Sequence, residues 1–120
     1  LNDRVFDNGL TVLDTEANKI LITSQQATTY TEANATYALG DSTSLSIGAP
    51  QDRSGGGREV VVAAITDGSV TATGTATHYA IVDTVNSRLL ATSTLTASQA
   101  VTSGNTFTLS SVSIGIPDPA

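Results

Sequence analysis

TFTLSSVSIGI, residues 106–116, changes side-chain parity halfway along. Phe107 and Leu109 share one parity; Val112, Ile114 and Ile116 share the other. Successive side chains of a strand point to opposite faces, so a strand with one buried face cannot change parity without a bulge or a move to a second sheet. The break is placed at Ser110 and Ser111, and Pro117 and Pro119 stop the strand. Strands joined by tight turns every 8 to 12 residues, as in the rest of the chain, imply an antiparallel β-sandwich or barrel.

Upstream, Ser103, Gly104 and Asn105 form a turn signal, and residues 88–95 (RLLATSTL) read as a strand with Leu89, Ala91 and Leu95 on one face. Residues 99–102 are polar-apolar, and 85–87 read as a turn. Residues 75–84 alternate, with Tyr79 and Ile81 facing one way and His78, Ala80 and Val82 the other. Residues 59–66 (EVVVAAIT) carry the pattern of a strand buried on both faces, and Asp67-Gly68 is a hairpin signal before a return over residues 69–73. Residues 50–58 (PQDRSGGGR), with three consecutive glycines between two arginines, read as a mobile loop. Residues 44–47 alternate weakly, and 19–24 (KILITS) form a short strand.

The N-terminal third departs from this rhythm. Thr29 and Glu32 have capping-box spacing and predict a short helix over about residues 30–37, ended by Gly40. Asn8 can cap another over residues 9–17, with Leu10, Leu13 and Ala17 on one face. Residues 1–7 read as an irregular arm, leaving 8–120 as a single β-rich domain with one or two short N-terminal helices.

Composition narrows the function. The 120 residues include 20 Thr and 13 Ser, and only 13% are charged. Thr suits the solvent face of a pleated sheet. The net charge is −6, and the five basic residues form no stripe, which argues against a nucleic-acid partner and an anionic membrane partner. There is no Cys, so the fold rests on packing and hydrogen bonds, and a reducing cytoplasm is no obstacle to assembly. No apolar run reaches the roughly 18 residues of a membrane span. The sequence has no Met, so at least an initiator residue is expected before Leu1.

Motifs for chemistry are weak. His78 is the single histidine, and Asp83, five positions on, falls on the opposite face about 16 Å away. Asp3, Asp7 and Asp14 match no Ca²⁺ loop. Ser54 to Gly57 lacks a phosphate-loop ending and precedes a strand rather than a helix. Asn34-Ala35-Thr36 fits a glycosylation pattern that a Ser/Thr-rich chain contains by chance. The expectation is a chain that is not an enzyme and takes no cofactor and no metal.

Several segments carry a resemblance: LNDRVFDNGL (residues 1–10), TTYTEANATYALG (28–40), THYAIVD (77–83), RLLAT (88–92), and VTSGNTFTL with IGIPDP (within 101–119). Together they resemble small structural proteins of tailed bacteriophages and prophages, especially of alphaproteobacteria. The resemblance implies a virion protein, and a capsid decoration (cement) role fits it best. Such a protein would be assembled in the host cytoplasm and bind the outer capsid surface as a homo-oligomer, with the major capsid protein or other virion proteins as partners. A head-fibre or tail-fibre module that binds a receptor or carbohydrate is the alternative; a hydrolase built on His78 is a third. The candidate contact residues are Val5 and Phe6 in the arm, and Arg53, Gly55, Gly56, Gly57 and Arg58 in the glycine loop.

Overall fold

The computed structural model describes residues 3–116, with the side chains of residues 3–8 and 96 outside that description. The chain is mostly β, and every described strand pair is antiparallel, as the alternation predicts. It divides into two compact units, one of residues 17–45 and 65–109, the other of residues 1–16, 46–64 and 110–120. The chain passes between the units at Glu16–Ala17, Leu45–Ser46, Ala64–Ile65 and Leu109–Ser110.

The larger unit is a six-stranded sheet in the order β7-β6-β1-β2-β5-β8. Its strands are β1 (Lys19–Thr23), β2 (Ala38–Ser42), β5 (Ile65–Val70), β6 (Gly74–Asp83), β7 (Arg88–Val101) and β8 (Thr106–Leu109). No ladder joins β7 to β8 among the described residues, so the sheet is not a closed barrel. Gln99 Nε2 does reach across to donate to the Thr108 carbonyl at 3.2 Å.

β1 lies between β2 and β6, and Ile20, Leu21, Ile22 and Thr23 are all buried. Opposite residues in an antiparallel pair share a face. The register sets Leu21 against Ala80 and Lys19 against Val82 on one face, and Ile20 against Ile81 and Ile22 against Tyr79 on the other. This confirms the parity read for residues 75–84. The chain between β1 and β2 packs over the first face, where Leu21, Ala27, Ala33, Ala80 and Val82 form a cluster with Tyr30, Tyr37 and Leu89.

That connection holds the helical turn Glu32–Thr36, wound as a π-helix with Tyr37 N–H donating to the Glu32 carbonyl at 2.8 Å. Half of the capping box forms, with Glu32 N–H donating to Thr29 Oγ1. The Glu32 carboxylate turns to Thr28, accepting from its N–H and its hydroxyl.

Several local expectations give way to tertiary packing. Gly40 ends no helix but lies inside β2, and Asp67-Gly68 makes no hairpin but lies inside β5. The Phe107 ring covers both glycines: a Cβ on Gly40 would sit 3.0 Å from its Cε1 and 2.6 Å from the Ser69 carbonyl, and one on Gly68 would overlap the ring. Ser69 and Val70 complete β5 rather than begin a return strand. Residues 99–101 extend β7, and register shifts in the β6–β7 pair put Leu89 opposite Val82 but Ala91 opposite Ile81, so Leu89 and Ala91 do not share the expected face.

The smaller unit is a three-stranded sheet, β3 (Gln51–Asp52), β4 (Arg58–Val62) and β9 (Val112–Ile116), with helix α1 (Asp3–Glu16). Residues 59–66 are not one strand: β4 ends at Val62, and β5 begins at Ile65 in the other unit. Only one face of β4 is fully buried, through Val60 and Val62. Ser110 and Ser111 are the expected break, with β8 and β9 in different sheets on either side of it. Residues 44–47 form no strand, and Ile47 makes an isolated bridge to Val62.

α1 begins at Asp3, six residues earlier than the helix expected from Gly9, so Asp3 to Asp7 are helical rather than an irregular arm. Leu1 and Asn2 lie outside the described residues. Leu10 and Leu13 are buried, α1 packs against β4, and Gly9 lies beside Ile116.

Candidate interaction surface

The glycine segment is a tight hairpin between β3 and β4, in place of the mobile loop expected from its composition. Arg53 N–H donates to the Gly57 carbonyl and Gly56 N–H to the Arg53 carbonyl, both at 3.0 Å. Gly55, Gly56 and Gly57 have φ of 89°, 104° and 93°. Three successive residues in that region need glycine, because a Cβ there meets the backbone.

The two arginines close this hairpin. Arg53 Nη1 donates to the Gly56 carbonyl at 3.1 Å. Its aliphatic stem crosses Gly115 of β9, where a Cβ would sit 2.9 Å from Arg53 Cδ. Arg58 Nη1 pairs with Asp52 Oδ1 at 2.6 Å, and Nη2 donates to the Pro50 carbonyl at 3.2 Å. Both guanidinium groups are thus engaged with their own hairpin. At the tip, Ser54 and Gly55 are exposed. Both tip residues carry a small side chain or none. Asp52 and Gly115 are absent from the sequence-derived contact set; Asp52 is legible only as the acid six residues before Arg58, and Gly115 only through the β4–β9 register.

Arg53, Gly55, Gly56, Gly57 and Arg58 are therefore brought together in one hairpin. Val5 and Phe6 lie in α1, and their side chains are outside the described residues.

His78, Asp83, Glu32 and Lys19 lie in the other unit. His78 Nδ1 is 2.8 Å from Thr77 Oγ1, and its cross-strand neighbours are Thr23 and Thr94. Asp83 is buried in the turn between β6 and β7. It accepts from Val85 N–H, Asn86 N–H and Asn86 Nδ2, the last at 2.8 Å. The Asn86 side-chain hydrogen bond is the main cause that holds its carboxyl below the usual range. Glu32 is likewise lowered, first by the Thr28 hydroxyl. The Glu32 charge in turn raises Tyr37, and burial raises Tyr79. Lys19 Nζ donates to Asn34 Oδ1 at 3.0 Å and lies 3.5 Å from Asp41 Oδ2, tying β1 to the π-helical turn and to β2. Among the described residues no three His, Cys, Asp or Glu side chains gather as a metal site.

No protein-family model, curated protein or solved structure matches this chain.

Proposed function

We propose that the chain is a non-enzymatic structural protein of a tailed-bacteriophage particle. Its role would be capsid decoration: binding the outer shell where capsid subunits meet and stabilising it. The partners are the major capsid protein and further copies of the chain, and assembly takes place in the host cytoplasm. The observation that carries this reading is how the reactive-looking side chains are used. Arg53, Arg58, Asp83 and Glu32 each secure a turn of the fold itself, and His78 bonds to the adjacent Thr77. A chain that uses its polar side chains this way offers shape and backbone to a protein partner. The segments resembling phage structural proteins supply the setting.

A fibre module that binds carbohydrate is less well supported. Sugar recognition stacks rings on exposed aromatics, but Tyr79 is buried and Tyr30 and Tyr37 pack on the Leu21 cluster. The test is to add the purified chain to particles stripped of it. Decoration requires saturable binding and genome release at a higher temperature than from bare particles. Binding without any stabilisation would contradict a cement role.

A further inference from the structure

We propose that Lys19, Asn34 and Asp41 form an autocatalytic isopeptide site. The Lys19 amine displaces ammonia from the Asn34 carboxamide and links β1 covalently to the π-helical turn. The proposal stands independently of what the chain attaches to.

Three elements bring the groups together around Leu21. Lys19 precedes Leu21 by two residues on β1, so the two share a face of the sheet. The register sets Asp41 of β2 opposite Leu21 on that same face. Asn34 is carried by the π-helical turn, one residue after Ala33, which is buried in the Leu21 cluster. Lys19 Nζ lies 3.0 Å from Asn34 Oδ1 and 3.5 Å from Asp41 Oδ2. The Lys19 side chain is only 20% exposed, and its cross-strand neighbour on β6 is the buried Val82. The amine is therefore held against one carboxamide and one carboxylate at the edge of an apolar cluster.

The remaining atoms of both partners are free to react. Among the described residues no hydrogen bond holds Asn34 Nδ2, and the Asp41 carboxylate has no polar side-chain partner besides Lys19. Asn34 thus presents its carbonyl to the amine while its own nitrogen is left to depart.

The reaction needs no oxidant and no cofactor. Asp41 takes one proton from the Lys19 ammonium. The amine so freed attacks Asn34 Cγ and forms the new Nζ–Cγ bond. A second proton passes from Nζ to Nδ2, the Cγ–Nδ2 bond breaks, and ammonia leaves. The ammonia takes the proton that Asp41 held, so the carboxylate is restored and ammonium is the by-product. A free amine attacks an amide very slowly. Groups fixed in a reactive geometry behave as if present at roughly 10⁵–10⁸ M, and a proton relay lowers the barrier further. The link closes a loop between positions 15 apart in the sequence. It restricts the unfolded chain as a disulfide would, in a chain that has no Cys.

The test is the intact mass of the purified full-length chain, followed by peptide mapping after proteolysis. The wild type should be lighter than its sequence by one ammonia, on isolation or after prolonged storage. A branched peptide should join Lys19 to Asn34, and trypsin should leave Lys19 uncut. Lys19→Arg keeps the positive charge but removes the nucleophile, and it should keep the full sequence mass. Asp41→Asn should lose ammonia at least 10-fold more slowly than the wild type. Circular dichroism checks that both variants fold, and the wild-type mass needs no variant. A wild-type chain that keeps its full mass after weeks at physiological temperature overturns the proposal. So does an ammonia loss that persists in Lys19→Arg or maps to another asparagine, which is ordinary succinimide formation. Loss at the wild-type rate in folded Asp41→Asn overturns the proton relay assigned to Asp41.

Discussion

At the scale of single residues, Phe107 explains two glycines that the sequence misassigns. Gly40 follows a helical pattern and Gly68 completes an Asp-Gly pair, so local rules make one a helix stop and the other a turn. Both sit in strands beside the Phe107 ring, which takes the space a Cβ would need, and at Gly40 the Ser69 carbonyl is closer still. Gly68→Ala should therefore destabilise the chain by about 1–3 kcal/mol, read from urea unfolding. Pairing it with Phe107→Leu should cost less than the sum of the two single changes. Strict additivity would show that the contact does not fix the glycine. The carboxylates Glu32 and Asp83 give a second prediction. Both are held below their ordinary values in the fold. Their contribution is full above the unfolded-chain values of about 4 and is lost as pH falls through the lower folded values. The melting temperature should drop in that acid window, and Asp83→Asn or Glu32→Gln should flatten the drop. An identical acid profile in the variants would rule the two groups out as its cause.

At the scale of elements, the turns show what local sequence can and cannot carry. The parity change at Ser110 and Ser111 is legible because a period of two is a property of the strand alone. The helical turn near Glu32 is legible because its capping residues are three apart. The split of residues 59–66 is not legible, since a continuous apolar run cannot show that the chain leaves one unit at Ala64. Nor is the start of α1, because Asn8 and Gly9 are poor helix formers and burial of Leu10 and Leu13 overrides them. The grouping of Arg53, Arg58 and the three glycines is visible in sequence, but their closed geometry depends on carbonyl partners and on Gly115. Gly56→Ala places a side chain at φ 104°. It should cost roughly 1–2 kcal/mol and lower occupancy on particles if the hairpin is a contact. Full occupancy at unchanged affinity would exclude the hairpin as a contact. Leu10→Ala in α1 should cost about 2–5 kcal/mol, measured the same way; a loss below about 0.5 kcal/mol would mean that α1 adds little to its unit.

At the scale of the whole molecule, the proposed role is attachment to a capsid. His78→Gln should leave particle binding and stability unchanged, because the ring's described hydrogen bond is to Thr77 and its cross-strand neighbours are threonines. The most direct measurement is an image of purified particles at a resolution that locates this chain. Copies repeating over the capsid lattice at contacts between capsid subunits are the expected result. Density for the chain confined to the tail, or its absence from the particle, would contradict it.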